Sequence, residues 1–300
     1  MFMTKVNGVY SDNHNISLLQ ALPCFQNGEV MKKIILALDG NNFSEGAFEF
    51  ASALNKKQQI LLTGVFLSQV EAKNLWAYAV GVPPAVVPIL EEDSTEVDET
   101  VERFKDLCEL NNISCKVHED FYGFAIPELQ RETRFADILL LGSQTFYHNL
   151  GGQINDYLIN ALHKSECPVL LVPETFVFPQ SNILAYDGRN SSIYAIKQFY
   201  YTFPELCDNP TLLVYCEEKD EIIPEKENMY ELAAQHFSNL QILKLDGDPR
   251  SSFNKWISQK KNSILVSGAF GRSVFSQTFR RSFVSNIVKE HELPVFIAHK

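Results

Sequence analysis

The sequence lacks the residue spacings that hold metals or disulfide frameworks. None of its six cysteines forms a Cys-x-x-Cys pair, and none of its seven histidines lies four residues from another. The cysteines fall largely within apolar segments, which predicts reduced core thiols rather than staples or zinc ligands. We therefore expect no protein-held metal centre.

Long apolar runs and an excess of basic charge are also missing. No stretch of about 18 apolar residues is present, so no membrane-spanning segment is predicted. The first 30 residues lack the basic start and apolar centre of a signal peptide, which favours a cytoplasmic location. Lysine and arginine number 26 against 37 acidic residues, a net charge of −11. This balance disfavours nucleic acid and anionic membranes as main partners.

The sequence contains no known phosphate-transfer loop. It has neither a GxxxxGK[ST] motif nor an SGGxDS-type loop, and no spaced pair of carboxylates suggests a magnesium site. No nucleophile stands in an evident pattern with a base. The sequence therefore predicts no catalytic residues, and an enzyme, such as a nucleotide hydrolase or an ATP-using ligase, is the less favoured interpretation.

Continuous apolar runs alternate with stretches of helical periodicity. Ile34–Leu38 shows no polar alternation, which is typical of a strand covered on both faces in a parallel sheet. Helix stripes follow, for example Ala47 with Phe50 and Val101 with Phe104, and Asn42 with Glu45 has the spacing of a capping box. The proline-rich segment Val70 to Pro88 predicts an insertion. The fold predicted is α/β, with strands joined by helices in right-handed crossovers.

The order of elements occurs twice. The interval between Gly142 and Gly268 equals that between Pro168 and Pro294, and an Asp-Gly pair closes the first strand of each copy. An internal duplication of this kind predicts two domains, each a five-stranded parallel sheet with helices on both faces. The predicted segments are an extension at 1–30, disordered or not part of the native start, a first domain at 31–175 and a second domain at 180–300.

The paired motifs resemble the universal stress protein family in its tandem two-domain form. The resemblance rests on ILALDG and ILAYDG, on ILLLGSQT and ILVSGAFG, and on CPVLLVP and LPVFIAH, in the same order in both copies. It covers essentially residues 31–300. It implies Rossmann-like domains of the adenine nucleotide alpha hydrolase type and a non-catalytic stress-response role. It also implies that Val169–Val172 and Val295–Ala298 pair with each other, as an intramolecular pseudo-dimer.

The second copy nearly matches the family's nucleotide motif. That motif has a glycine, two residues, a second glycine, nine residues, and then glycine with serine or threonine. Arg281 replaces the third glycine, and the segment carries arginines and no acid, in a protein that is acidic overall. The resemblance implies ATP or ADP in this copy, with magnesium only as its companion. The predicted nucleotide-binding residues are Asp187, Gly188, Gly268, Gly271, Arg272, Arg281 and Ser282.

The first copy departs from the motif. Thr145 and Asn155 replace glycines, and Asp156 stands where the family has serine or threonine. A carboxylate about 5 Å from a phosphate repels it by roughly 3 kcal/mol at an effective dielectric near 20, which is more than a hundredfold in affinity. No lysine or arginine lies between Gly142 and Asp156 to offset it. The first domain is therefore predicted to be structural or partner-binding.

Simpler interpretations stay open. Gly268 and Gly271 are also what a plain turn after a strand requires, and Asp39 and Asp187 could simply cap the turns that follow them. Arg281 could fill the phosphate pocket instead of binding phosphate. Alternative functions are an interaction scaffold without nucleotide or a carrier of an apolar ligand, and a homodimer is a further possibility.

Overall fold

The first strand shows why this sequence forms a buried parallel sheet. Ile34, Leu36 and Leu38 pack into one hydrophobic cluster, while Ile35 and Ala37 pack into a second cluster on the opposite face. All five are at most 1% exposed, so both faces are covered, as the unbroken apolar run predicts. The computed structural model of the protein describes residues 31–39, 43–67, 91–120, 125–143, 161–162, 164–216, 222–247, 249–268 and 293–299.

The described strands form one ten-stranded sheet in the order β3-β2-β1-β4-β5-β10-β9-β6-β7-β8. Each half has the same internal order, and all neighbours are parallel apart from β5 and β10. The predicted α/β class is confirmed. The strands are β1 Lys32–Asp39, β2 Ile60–Leu67, β3 Ser114–Asp120, β4 Ile138–Gly142, β5 Val169–Val172, β6 Ser181–Tyr186, β7 Thr211–Cys216, β8 Leu240–Leu245, β9 Ser263–Ser267 and β10 Val295–Ile297.

Helices cover both faces of this sheet. The four helices at residues 45–57, 91–110, 190–202 and 226–234 contribute to the first hydrophobic cluster, and the two at 125–133 and 249–257 contribute to the second. The stripes predicted from 3.6-residue periodicity, including Phe50, Val101 and Phe104, are buried. The described helices are α1 Glu45–Lys57, α2 Glu91–Leu110, α3 Ala125–Thr133, α4 Asn190–Thr202, α5 Lys226–Ala234, α6 Pro249–Ile257 and a short 3-10 helix at Pro204–Leu206.

The expected capping box at Asn42 and Glu45 is wrong. Helix α1 begins two residues later than that spacing requires, and its N-cap is Ser44, whose hydroxyl accepts a hydrogen bond from the Ala47 amide. A serine three residues before that amide satisfies one of the helix's unpaired donors. The extension at 1–30 and the insertion at 70–88 lie outside the described residues.

The two halves of the sheet meet at β5 and β10. These strands pair antiparallel, with Val295 opposite Leu171 and Ile297 opposite Val169, which agrees with the pairing expected from the resemblance. Aromatic side chains continue the contact beside the sheet. The Phe203 ring lies 6.3 Å from that of Phe50 and 5.9 Å from that of Phe296, measured between centroids. The hydrophobic core is thus continuous from one half to the other.

A largely buried ion pair also joins the halves. The Lys32 ammonium lies 2.7 and 2.8 Å from the two carboxylate oxygens of Glu205. The two side chains are 12% and 16% exposed. Lys32 also lies over the ring of Phe203, with its nitrogen 5.6 Å from the centroid. Removing one partner alone would leave a poorly solvated charge.

We expect Glu205→Gln to lower the free energy of unfolding by about 2 kcal/mol, because Lys32 would lose its counter-ion in a site with little water. The double variant Lys32→Met with Glu205→Leu should recover most of that loss. Glu102→Gln provides the control, because its pair with Lys105 is solvent-exposed and should change stability by less than about 0.5 kcal/mol. Urea unfolding of all variants measures the three values. Equal effects at Glu205 and Glu102 would contradict the expectation.

Candidate functional site

Two neighbouring strands of the second half end beside each other. Strands β6 and β9 pair in parallel, with Leu184 opposite Val266, so the residues that follow them lie at one edge of the sheet. β9 continues outward to β10, while β6 continues outward to β7 in the opposite direction. This reversal of strand order is where doubly wound sheets bind ligands. Asp187 and Gly188 follow β6 at this point, and Gly268 follows β9.

The turn after β6 requires glycine. Gly188 has a φ of 74°, in the left-handed region that residues with a Cβ rarely adopt. A Cβ at this position would also lie 3.0 Å from carbon atoms of the Pro224 side chain. The turn sends the chain into α4, whose N-cap is Arg189. The positive φ and the close contact with Pro224 therefore both favour glycine at position 188 for structural reasons.

The Asp187 carboxylate is engaged within its own turn. Its Oδ1 accepts hydrogen bonds from the Arg189 amide, at 3.0 Å, and from the Ser192 hydroxyl, at 2.7 Å. The Arg189 guanidinium lies 4.0 Å from Oδ2, and 41% of the Asp187 side chain is exposed. The turn-capping interpretation of Asp187 is thus supported by its contacts. The exposed part of the carboxylate still faces solvent at the sheet edge.

Gly268 is buried against the first turn of α4. A Cβ at this position would lie 2.1 Å from the Ser191 carbonyl oxygen and 2.6 Å from the Ser192 amide nitrogen. These are backbone atoms, so no side-chain rotation could make room. The end of β9 therefore packs against the backbone of Ser191 and Ser192. Ser192 is also the residue whose hydroxyl donates to Asp187. The structure brings Asp187, Gly188 and Gly268 together, whereas Gly271, Arg272, Arg281 and Ser282 lie outside the described residues.

The loop before α5, which contains Pro224, also borders this site. The Tyr186 hydroxyl donates to the Pro224 carbonyl at 2.8 Å, and Glu225 starts α5 in a left-handed conformation with a φ of 50°. Burial, followed by the charges of Glu225 and Asp187, raises the pKa of Tyr186. The phenol consequently stays protonated and can hold this loop as a donor.

Sequence reasoning missed the residues that contact the predicted site, namely Ser192, Arg189 and Pro224. For Ser192 a signal was present. Ser44 follows Asp39 at the same interval as Ser192 follows Asp187, so the duplication itself marked this position. The sequence carries no comparable signal for Arg189 and Pro224, because their contacts depend on how the loops approach one another in the folded chain.

In the first half, the corresponding helix start already carries an anion from the chain itself. The Glu174 carboxylate accepts hydrogen bonds from the Ser44 hydroxyl, at 2.7 Å, and from the Gly46 amide, at 3.0 Å. A Cβ at Gly46 would lie 2.1 Å from the Pro173 carbonyl oxygen, so the segment after β5 lies directly on α1. By the spacing of the duplication, Lys300 stands at the position of Glu174. The sequence of the second half thus has a basic residue where that of the first half has an acidic one.

Two other features of the described residues bear on function. None of them forms a group of three or more histidine, cysteine or acidic side chains suited to a metal ion. Within the same ranges, no helix has the length and apolar character needed to cross a bilayer. An open cavity of about 530 Å³ lies between α5 and β8. Its lining residues are Lys226, Glu227, Tyr230, Glu231 and Ile242.

No protein-family model matches the sequence, and no curated protein matches it either. Solved structures do match the fold. A universal stress protein from Archaeoglobus fulgidus DSM 4304 is similar with a TM-score of 0.65 and 15% identity, over 89% of this chain and 98% of that one. A functionally unknown protein from Pseudomonas aeruginosa PAO1 has a TM-score of 0.51 and 10% identity, over 90% and 92% of the two chains. At these identities the likeness is one of fold.

Proposed function

From this universal stress protein fold, we propose that the chain is a non-catalytic stress protein of the cytoplasm that binds ATP or ADP in its second half only. The observation that supports the proposal best is the meeting of Asp187 and Gly268 at the switch point between β6 and β9. A partly exposed carboxylate there can accept hydrogen bonds from an adenine amino group or a ribose hydroxyl. The nucleotide would bring its own magnesium.

The phosphate side of the site is proposed from the sequence. Gly271 and Ser282 would supply close backbone approach and a hydroxyl, and Arg272 and Arg281 would supply positive charge. In the first half, the Glu174 carboxylate at the start of α1 and the acidic Asp156 both oppose an anion. We therefore propose that the first half has a structural or partner-binding role. The pairing of β5 with β10 supports an intramolecular pseudo-dimer.

Calorimetric titration of the full chain with magnesium-ATP tests this proposal. Gly271→Glu should weaken binding more than a hundredfold, because a carboxylate about 5 Å from a phosphate repels it by roughly 3 kcal/mol. Asp187→Ala should weaken binding by roughly ten- to a hundredfold through a lost hydrogen bond to a charged acceptor. Asp39→Ala, the equivalent change in the first half, is the matched control and should leave affinity unchanged.

Arg281→Gly separates the two roles open to that arginine. If Arg281 binds phosphate, as proposed, this variant should lose affinity, since one charged contact is removed. A gain in affinity would mean that the arginine blocks the pocket. Equal heats from the wild type and Gly271→Glu would remove the proposed nucleotide site altogether.

A scaffold without nucleotide is the second candidate. The observation in its favour is that Asp187 Oδ1 already accepts two hydrogen bonds within its own turn, so the residue has a structural task without any ligand. Mass spectrometry of the native protein under non-denaturing conditions distinguishes the two candidates. Co-purified ATP or ADP supports the first, and a ligand-free chain that also gives no heat with nucleotide supports the second.

A further inference from the structure

The loop before α5 contacts the residues on both sides of Asp187. The Tyr186 hydroxyl, at the end of β6, donates a hydrogen bond to the Pro224 carbonyl at 2.8 Å. Gly188 approaches the Pro224 ring so closely that a Cβ at this glycine would lie 3.0 Å from the proline Cβ and Cγ atoms. Asp187 stands between these two contacts in the sequence. The position of Pro224 is therefore fixed relative to the turn that carries Asp187.

The start of α5 holds the other end of this loop. Glu225 is the N-cap of α5, and its carbonyl accepts a hydrogen bond from the Met229 amide at 2.9 Å. The Glu225 carboxylate accepts a second hydrogen bond from the Asn228 side-chain amide at 2.6 Å. The backbone of Glu225 is left-handed, with a φ of 50°, a conformation that residues with a Cβ rarely adopt unless their surroundings maintain it. Residues 224–229 thus form one continuous, hydrogen-bonded segment.

Tyr186 occupies a position where the first half has leucine. Leu38 directly precedes the first Asp-Gly pair, as Tyr186 precedes the second, and both side chains are buried in the first hydrophobic cluster. A buried hydroxyl costs free energy unless it has a hydrogen-bond partner, and the Pro224 carbonyl is that partner. Leucine has no hydroxyl, so the first half cannot make the same connection. The connection therefore belongs to the half in which we propose nucleotide binding.

These contacts lie at the edge of the sheet to which we assign the nucleotide. β6 ends at Tyr186, and its neighbour β9 ends at Ser267, immediately before Gly268. The Asp187 side chain is 41% exposed at this edge. Because the residues before and after Asp187 both contact Pro224, a ligand group that reaches the Asp187 carboxylate also comes close to the loop before α5.

We propose that Tyr186 is a positioning residue for the base of the nucleotide. Through the Pro224 carbonyl, Tyr186 holds the loop before α5 as a wall on the side of the site where Asp187 meets the base. A wall that is already in place does not have to be ordered when the ligand binds, so less binding free energy is lost. This inference rests on the proposed function, and it concerns the adenine base and not the triphosphate.

Tyr186→Phe tests the proposal, because it removes one hydroxyl and keeps the buried ring. We expect the affinity of the full chain for magnesium-ATP, measured by calorimetry, to fall about five- to tenfold, the effect of one lost hydrogen bond. The affinity for inorganic triphosphate with magnesium should change by less than about twofold, because triphosphate has no base to meet the loop.

Tyr200→Phe is the matched control. It also removes a hydroxyl from a buried tyrosine, near the C-terminal end of α4 and about 15 Å along that helix from Asn190. We expect Tyr200→Phe to leave the affinity for magnesium-ATP within about twofold of the wild type, because Tyr200 does not contact the loop before α5 through any described hydrogen bond.

Hydrogen exchange separates the position of the loop from its effect on the ligand. In the protein without nucleotide, Tyr186→Phe should accelerate exchange of the amides in residues 222–229 about five- to tenfold, whereas Tyr200→Phe should not. In the wild type, magnesium-ATP should slow exchange in this segment, because the base contacts the loop. Inorganic triphosphate should leave it unchanged.

Three results would overturn the proposal. The first is an unchanged ATP affinity in Tyr186→Phe. The second is an equal loss of affinity for ATP and triphosphate, which would give Tyr186 a general structural role only. The third is a wild type that binds ATP without slower exchange in residues 222–229. A wild type that binds no ATP would instead remove the proposed function, and this inference with it.

Discussion

Gly268→Ala is expected to lower the free energy of unfolding by about 3 kcal/mol and to weaken nucleotide binding in parallel. A methyl group at this position would lie 2.1 Å from the carbonyl oxygen and 2.2 Å from the carbonyl carbon of Ser191. Because both are backbone atoms, β9 and α4 would have to move apart, and overpacking of this kind costs about 1–3 kcal/mol or more. The displaced edge carries Asp187 through its bond to Ser192.

A second glycine substitution provides the control for Gly268. Gly64 lies inside β2, where a Cβ would meet ring atoms of Phe104 and Phe66 at 3.0–3.1 Å. These side chains can shift by a few tenths of an ångström, so Gly64→Ala should cost less, about 1 kcal/mol. Gly268 does not have a positive φ, so the Gly268→Ala substitution tests steric overlap with neighbouring atoms and not strain in the backbone torsion. Urea unfolding gives both values, and equal stabilities of Gly268→Ala and the wild type would refute the packing argument.

Phe203→Ala should lower the free energy of unfolding by about 3–5 kcal/mol, because it removes a buried ring between the two halves. The ring is 0% exposed and lies 5.9 Å from Phe199, 5.9 Å from Phe296 and 6.3 Å from Phe50 between centroids. The cavity would open beside the place where β5 meets β10. Circular dichroism during urea unfolding measures the loss.

Tyr201→Ala is the matched control for Phe203, because it truncates an aromatic ring two residues away that is 63% exposed. We expect it to change stability by less than about 1 kcal/mol. The unfolding of Phe203→Ala should stay a single transition, since the sheet and the core run through both halves. A loss no larger than that of Tyr201→Ala would contradict the assigned role of Phe203.

Local periodicity predicted the strands and helices of this chain because both faces of the sheet are covered. The unbroken run Ile34–Leu38 and the stripe that contains Val101 and Phe104 each report burial directly, and the structure confirms both. Boundaries were less predictable. α6 begins at Pro249, four residues before its first buried aromatic, Phe253, because a polar first turn carries no apolar signal and proline is accepted there.

Contacts between distant segments could not be predicted from the sequence. Lys32 and Glu205 form an ion pair although neither lies in a recognisable motif, and Glu174 reaches the start of α1 from a linker. Asp187 and Gly268, which the duplication singled out, lie at one edge of the sheet, and their role in nucleotide binding stays a prediction. The hydrogen bonds that hold Asp187 depend on the course of the turn, which only the folded chain defines.

The stoichiometry of ATP binding, measured by calorimetry on the full chain, tests the asymmetry of the two halves most directly. We expect one nucleotide per chain, lost in Gly271→Glu and retained in Asp39→Ala. Two nucleotides per chain, or one that Asp39→Ala abolishes while Gly271→Glu leaves it intact, would contradict the assignment of the site to the second half.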